Sequence, residues 1–198
     1  MNTCQKIYLP FKRLIGIIGS FVGIIFCFVF LWWWVFIINF IATKGHPLFI
    51  SKRIGQNGKE FGLLKFRSMK IDADPDMVAN DSKVDNSITK FGSFLRKSSI
   101  DETLQLFNIL IGQMSFIGPR PLIYAGADTI TINKRKENGS INLKPGLSGY
   151  AQLHSRSNLD YLKKAELDFY YYKHLSFLLD LKIFVKTIFG VFGTNRGK

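Results

Sequence analysis

The chain has 198 residues, 47% of them hydrophobic, and carries 27 Lys and Arg against 14 Asp and Glu, a formal net charge of +13. That length suits one globular domain plus an appendage, and the charge suits anionic lipid head groups, phosphorylated substrates or nucleic acid. Cys4 and Cys27 are too few for a disulfide framework, and His46, His154 and His174 lack zinc-ligand spacing.

Residues 14–42, LIGIIGSFVGIIFCFVFLWWWVFIINFIA, hold no charged side chain. The run exceeds the roughly 20 apolar residues that cross a bilayer. It is too long for the apolar core of a signal peptide, and no small-residue cleavage site follows. It is a membrane segment, so lipid and phosphate partners are expected, and no nucleic acid. Lys6, Lys12 and Arg13 precede it, and Lys44, Lys52 and Arg53 follow. Cytoplasmic loops normally hold the Lys/Arg excess, so positive charge on both flanks favours a helix that enters the membrane and returns. Gly16, Gly19, Ser20 and Gly23 are the expected bend points; Gly19-x-x-x-Gly23 suits a helix-packing face equally well. The expected division is 1–44, the membrane-embedded helix and its flanks, and 45–198, a membrane-associated domain.

LFISKRIG and KEFGLLKFRSM flank Gln56-Asn57-Gly58, and Asn-Gly between two apolar-bearing runs signals a β-hairpin. Residues 70–87, KIDADPDMVANDSKVDNS, read as a solvated loop. Asp72, Asp74 and Asp76 resemble a calcium loop, but Met77 stands where that loop needs Gly and Lys83 where it needs Glu. Ile88, Phe91, Phe94 and Leu95 then fall at helical spacing, with Lys90, Arg96 and Lys97 on other faces. Leu104, Phe107, Leu110 and Ile111 predict a further helix with one buried stripe, stopped at Gly112. Pro119 and Pro121 exclude helix from IGPRP. Residues 125–143 predict a helix and a polar loop, and Pro145-Gly146 a turn. Residues 159–192 read as helical, with Lys182 and Lys186 interleaved among large apolar residues as in interfacial helices.

The adjacent carboxylates Asp101 and Glu102 are the candidate chemistry. Ser99-Ile100-Asp101-Glu102 matches a capping box, in which Ser99 starts the helix, Glu102 reaches back to it, and Asp101 favours the positive helix end. A helix start is also an anion-binding place, and Lys65, Arg67, Arg96 and Arg120 supply positive charge nearby in sequence. A carboxylate kept ionised by such surroundings is an available nucleophile, and Asp can attack phosphorus. Cap and catalytic pair both remain open on the residues alone.

KFRSM (65–69), SSIDETLQLFNILIGQMSFIGPRPL (98–122), KPGLSGYAQ (144–152) and ELDFYYYKHLSFLLDLKIFVKT (166–187) resemble, in order, the bacterial sugar transferase family, the monotopic polyprenyl-phosphate phosphoglycosyl transferases. The resemblance implies an α+β, mainly helical fold. A re-entrant membrane helix would accompany a small cytosolic catalytic domain with interfacial amphipathic helices, on the cytoplasmic face of the bacterial inner membrane. It implies transfer of a phospho-sugar from a UDP-sugar to undecaprenyl phosphate with release of UMP, initiating surface glycan synthesis. By the same likeness Asp101 would be the nucleophile and Glu102 its partner acid, the two also holding Mg²⁺. Lys65, Arg67, Arg96, Arg120, Gln152 and Asp168 would contact substrate. Family members commonly break the membrane helix at a Ser-Pro pair, whereas this chain has no proline between Pro10 and Pro47. Other readings of the same residues are a membrane glycosyltransferase that releases UDP, or a membrane-surface binding protein without catalysis. Neither the sugar nor the oligomeric state is legible.

Overall fold

In the computed structural model the described residues are 2–70, 87–154 and 160–192. The acidic stretch expected as a solvated loop falls, from 71 to 86, outside them. The N-terminal run, largely apolar and with Pro10 inside it, builds α1 (Thr3–Phe30) and, directly after it, α2 (Trp32–Thr43). The first is long and apolar enough to cross a membrane. The interruption does not fall at the expected glycines. It falls at Leu31, whose backbone (φ −125°, ψ −52°) leaves helical geometry while its N–H still donates to the Cys27 carbonyl at 2.9 Å. Neither proline nor glycine causes this break. The next residue, Trp32, is instead fixed from outside the helix: its indole N–H donates to Thr103 Oγ1 at 3.0 Å and its ring stacks on Phe107 with centroids 5.3 Å apart.

β1 (Leu48–Ile54) and β2 (Glu60–Phe66) pair as a two-stranded sheet. The connection has Asn57 at φ 58° and Gly58 at φ 75°, the left-handed pair that Asn-Gly supplies at least cost. There follow α3 (Lys90–Ser98), α4 (Gln105–Leu110), β3 (Ser115–Ile117), α5 (Asp128–Asn138), β4 (Gly146–Ser148), α6 (Tyr150–His154), α7 (Tyr161–Lys173) and α8 (Phe177–Phe192). The described chain is mainly helical with two small sheets. Where Pro145-Gly146 predicted only a turn, Gly146 opens β4, which pairs in parallel with β3 in the register Ser115 to Gly146 and Ile117 to Ser148. A Cβ on Gly146 would lie 2.1 Å from Gly118 N, so this close approach of two backbones needs glycine. The stripe expected on α4 is shifted: Leu104, Leu106 and Ile109 are buried, whereas Ile111 is exposed.

By packing, the chain forms two compact units. One comprises Gly19–Ser51 and Gly62–Asn108, the other Met1–Ile18, Lys52–Phe61 and Ile109–Lys198. The apolar N-terminal segment contributes to both units. In the first unit, Gly23 gives α1 its approach to Leu106, 3.0 Å from where a Cβ would sit. There Asn39, fully buried on α2, donates to the Pro47 carbonyl at 3.0 Å. In the second, the core is Ile117, Leu143, Tyr171, Leu175 and Ile183, with Tyr8 and Leu9 of α1 packed against it. Asp180 of α8 is buried there and accepts from Tyr8 Oη and Lys12 Nζ, each at 2.7 Å, and from Tyr171 Oη. These bonds satisfy a charge that apolar burial would otherwise penalise heavily. On α8, Phe177, Leu178, Leu181, Phe184, Val185, Ile188 and Phe189 stay exposed as an apolar face.

Candidate active site

The carboxylate pair lies wholly in the unit formed by 19–51 and 62–108. Its position begins with Thr89, which caps α3 by accepting from the Gly92 N–H at 2.8 Å. The backbone of α3 runs tightly against Ser68: a Cβ on Gly92 would fall 1.9 Å from the Ser68 carbonyl oxygen. That contact brings Arg96, in the last turn, to Ser68, where Nε donates to Oγ at 2.8 Å.

The capping box does not form. Ser99 ends α3 rather than starting the next helix: it is left-handed (φ 57°, ψ 20°), and its N–H donates to the Arg96 and Leu95 carbonyls. A single 3₁₀ turn, Ile100–Glu102, follows, and α4 begins only at Gln105. Glu102 accepts from Lys65 Nζ of β2 at 3.0 Å, both side chains being partly buried. Asp101 is 6% exposed, and its Oδ1 is buried with no hydrogen-bond partner. Burial, reinforced by the charge of Glu102, pushes its carboxyl up from 3.8 to about 6, against the opposing pull of Lys65 and Arg96. Burial, not the surrounding cations, therefore sets the basicity of this carboxyl. Asp101 remains mostly ionised at neutral pH, but it is a stronger base than a surface aspartate.

Arg67 contacts the segment around the start of β1. Its Nε donates to the His46 carbonyl at 3.0 Å, its N–H donates to the Pro47 carbonyl at 2.7 Å, and its guanidinium lies 5.5 Å from the Phe49 ring centroid. Asn108, buried on α4, was absent from the sequence reading. Its Nδ2 donates to the Gly62 carbonyl at 2.7 Å and its Oδ1 accepts from the Leu64 N–H at 3.1 Å. It serves β2 as a neighbouring strand would, which locks Lys65 in register with the 3₁₀ turn. Structure therefore gathers Asp101, Glu102, Lys65, Arg67 and Arg96 in one unit and adds Ser68 and Asn108.

Arg120, Gln152 and Asp168 belong to the other unit. Arg120 is exposed between its prolines. Asp168 is 1% exposed, and its Oδ2 accepts from both Nε and Nη2 of Arg135. The same guanidinium donates from Nη1 to the Arg120 carbonyl at 3.0 Å. Asp168 thus acts on the Pro-Arg-Pro loop through Arg135, a positioning role. The sequence hid Arg135 inside NKRKEN, where it resembles one more surface cation. Gln152 has a buried Oε1 without a partner.

No group of three or more His, Cys, Asp or Glu side chains converges among the described residues. Two adjacent carboxylates are a donor set that suits Mg²⁺, which takes one or two carboxylates and otherwise water and substrate phosphate oxygens.

The profile of the family described as "Bacterial sugar transferase" matches residues 7–194. The chain is 35% identical over 189 residues, 87% of its length, to a Haemophilus influenzae protein named as an uncharacterized sugar transferase, and covers 38% of that protein. It is 39% identical over 162 residues to the Bacillus subtilis uncharacterized sugar transferase EpsL, covering 78% of this chain and 75% of EpsL. It is 38% identical over 153 residues to a Klebsiella pneumoniae UDP-glucose:undecaprenyl-phosphate glucose-1-phosphate transferase, covering 75% of this chain and 33% of that one. The chain thus spans about two-fifths or less of the Haemophilus and Klebsiella relatives.

Proposed function

The chain belongs to the bacterial sugar transferase family, and from that membership and the geometry of Asp101 we propose that it is a phosphoglycosyl transferase. It moves a sugar phosphate from a UDP-sugar to undecaprenyl phosphate and releases UMP. The name of the Klebsiella relative supports the donor and acceptor classes. The observation that carries the mechanism is the buried, unpartnered Oδ1 of Asp101 beside Glu102 and its Lys65.

In the first half-reaction Asp101 Oδ1 attacks the phosphorus that bears the sugar. An O–P bond forms, the bond to the bridging oxygen breaks, and UMP leaves with the electron pair. Then an oxygen of undecaprenyl phosphate attacks the same phosphorus and the aspartyl bond breaks, regenerating the carboxylate. Glu102 is positioned to take the acceptor's proton while Lys65 holds it in place. Arg96, fixed through Nε to Ser68, offers its terminal nitrogens to phosphate oxygens. Asp101 and Glu102 would hold Mg²⁺, which supplies neutralisation of pyrophosphate charge when bound. Using one carboxylate twice lets a water-soluble donor and a lipid acceptor share one site.

The exposed apolar faces of α1, α2 and α8 support a membrane-embedded segment; the catalytic residues would face the cytoplasm. Cationic flanks on both sides of the apolar run support re-entry rather than crossing. Exposed Cys4 makes this testable: an impermeant maleimide should label it only from the cytoplasmic side.

Activity is tested by supplying a panel of UDP-sugars with undecaprenyl phosphate and identifying the nucleotide released. UMP, together with a sugar-phosphate adduct on Asp101 in the intact-protein mass, is the expected result. Release of UDP would overturn the reading.

A further inference from the structure

We infer that Gln105 is an oxyanion donor, its side-chain amide holding a non-bridging oxygen of the phosphoryl group that Asp101 attacks. Gln105 is 2% exposed, and its Nε2 is buried without any acceptor. It sits in the same unit as Asp101, four residues later, where α4 begins. The chain between them is the 3₁₀ turn Ile100–Glu102 and right-handed Thr103 (φ −63°, ψ −25°), with the Thr103 N–H donating to the Ile100 carbonyl and the Leu106 N–H to that of Thr103, so the two positions stand little more than one turn apart. The other polar side chains of this stretch are engaged. Thr103 Oγ1 donates to the Ile100 carbonyl and accepts from Trp32, and Asn108 bonds Gly62 and Leu64. Gln105 alone among the residues from 103 to 108 brings a polar side chain into the core and leaves its donor unused. An apolar residue would fill that place without the desolvation penalty.

Two orphans of opposite character therefore lie about a turn apart: a donor on Gln105 and an acceptor, Oδ1, on Asp101. A divalent cation would satisfy only the carboxylate, because an amide NH₂ repels it. A phosphoryl group satisfies both. Its oxygens accept from Gln105 while its phosphorus receives Asp101 Oδ1, and charge gathers on those oxygens as the bond to UMP breaks. A donor placed in advance for that charge is worth most in a buried site.

The inference rests on the phosphoglycosyl reading, and its test separates the two. The full chain, reconstituted in lipid, is given whichever of UDP-glucose, UDP-galactose or UDP-N-acetylglucosamine the wild type turns over fastest. The acceptor is omitted, and the single-turnover release of UMP is followed. Gln105→Met keeps the volume and loses the donor; Gln105→Glu keeps the shape and replaces donor by acceptor. Both should slow UMP release on the order of 10²-fold, with half-saturating donor concentration changed less than about threefold and thermal midpoint of the Met variant unchanged or raised. Replacing a non-bridging oxygen on the sugar-bearing phosphorus by sulfur should slow the wild type and have a smaller effect on Gln105→Met. If the folded variants release UMP at the wild-type rate, Gln105 is not the donor and the covalent mechanism stands. If the wild type itself releases no UMP, the parent reading has failed and this inference falls with it.

Discussion

Replacing Asp101 by Asn should abolish transfer and at the same time stabilise the metal-free protein at neutral pH. The Asp101 carboxyl is raised from 3.8 to about 6, burial being the largest cause and Glu102 the next. At about 1.4 kcal/mol per unit, the ionised folded state carries a penalty of about 3 kcal/mol. The Asn amide returns part of it, since a buried NH₂ lacking an acceptor costs about 1–3 kcal/mol. The expected net gain is about 1 kcal/mol, or roughly 2–4 °C for a chain of this size. The sign with pH follows from the direction of the shift. Below 3.8 the carboxyl is protonated in both folded and unfolded states and carries no penalty; between 3.8 and about 6 the penalty grows; above about 6 it is complete. The advantage of Asn should therefore be largest at pH 7–8, disappear as the pH falls below about 6, and reverse as the buffer approaches pH 4, where the carboxylate penalty is gone and the amide's cost remains. The assay is thermal unfolding of both proteins in one detergent with EDTA, across that range. A wild type more stable than Asp101→Asn at pH 8, or a difference independent of pH, would refute the reasoning that burial dominates this carboxyl.

Magnesium should raise the thermal midpoint of the wild type, with the increase growing with concentration, and should do so much less for Asp101→Asn, which differential scanning fluorimetry can follow. Asp168→Asn or Arg135→Met alone should cost roughly 3–5 kcal/mol by leaving a buried charge unpaired, and the double replacement Arg135→Met with Asp168→Leu should recover most of that loss in denaturant titrations. Gly92→Ala should slow transfer more than it unfolds the chain, because its Cβ would force the Ser68 carbonyl away and carry off the Oγ that aligns Arg96; titration of activity against residual helicity separates the two effects.

What the sequence revealed was set locally. Asn57-Gly58 specified its hairpin because both residues adopt positive φ cheaply, at 58° and 75°. The helix at 90–98 followed from its apolar spacing, and those within 128–138 and 161–192 lie in stretches without proline. The capping box failed because its pattern ignores what precedes it. Ser98 Oγ already bonds back to the Phe94 and Leu95 carbonyls, so α3 runs through to Ser98 and its terminal carbonyls claim the Ser99 N–H. A residue held left-handed as a C-cap cannot also adopt the extended backbone of an N-cap. The β3–β4 pairing escaped for a different reason. Three-residue strands carry no alternation to detect, and their partners are 31 residues apart, by the register Ser115 to Gly146.

Charge was the deeper difficulty, and it bears on chemistry more than on fold. Residue types at the site were legible, because carboxylates and cations in that order already suggest phosphate chemistry. Their ionisation was not, because it depends on pairings the linear order conceals. Lys65, counted as one of the cations keeping Asp101 ionised, gives its ammonium to Glu102, and Arg96 gives Nε to Ser68. Lys12 read only as a cation flanking the apolar run and Arg135 had no assigned role, yet they neutralise Asp180 and Asp168 inside the fold. A net charge of +13 therefore overstates the positive field acting on any one buried carboxylate. At Asp101 burial outweighs what remains, and the nucleophile is left more basic than its cationic neighbours in sequence would imply. Counting charges along the chain gives the partner's sign; the reactivity of the carboxylate depends on which of those charges are already spent.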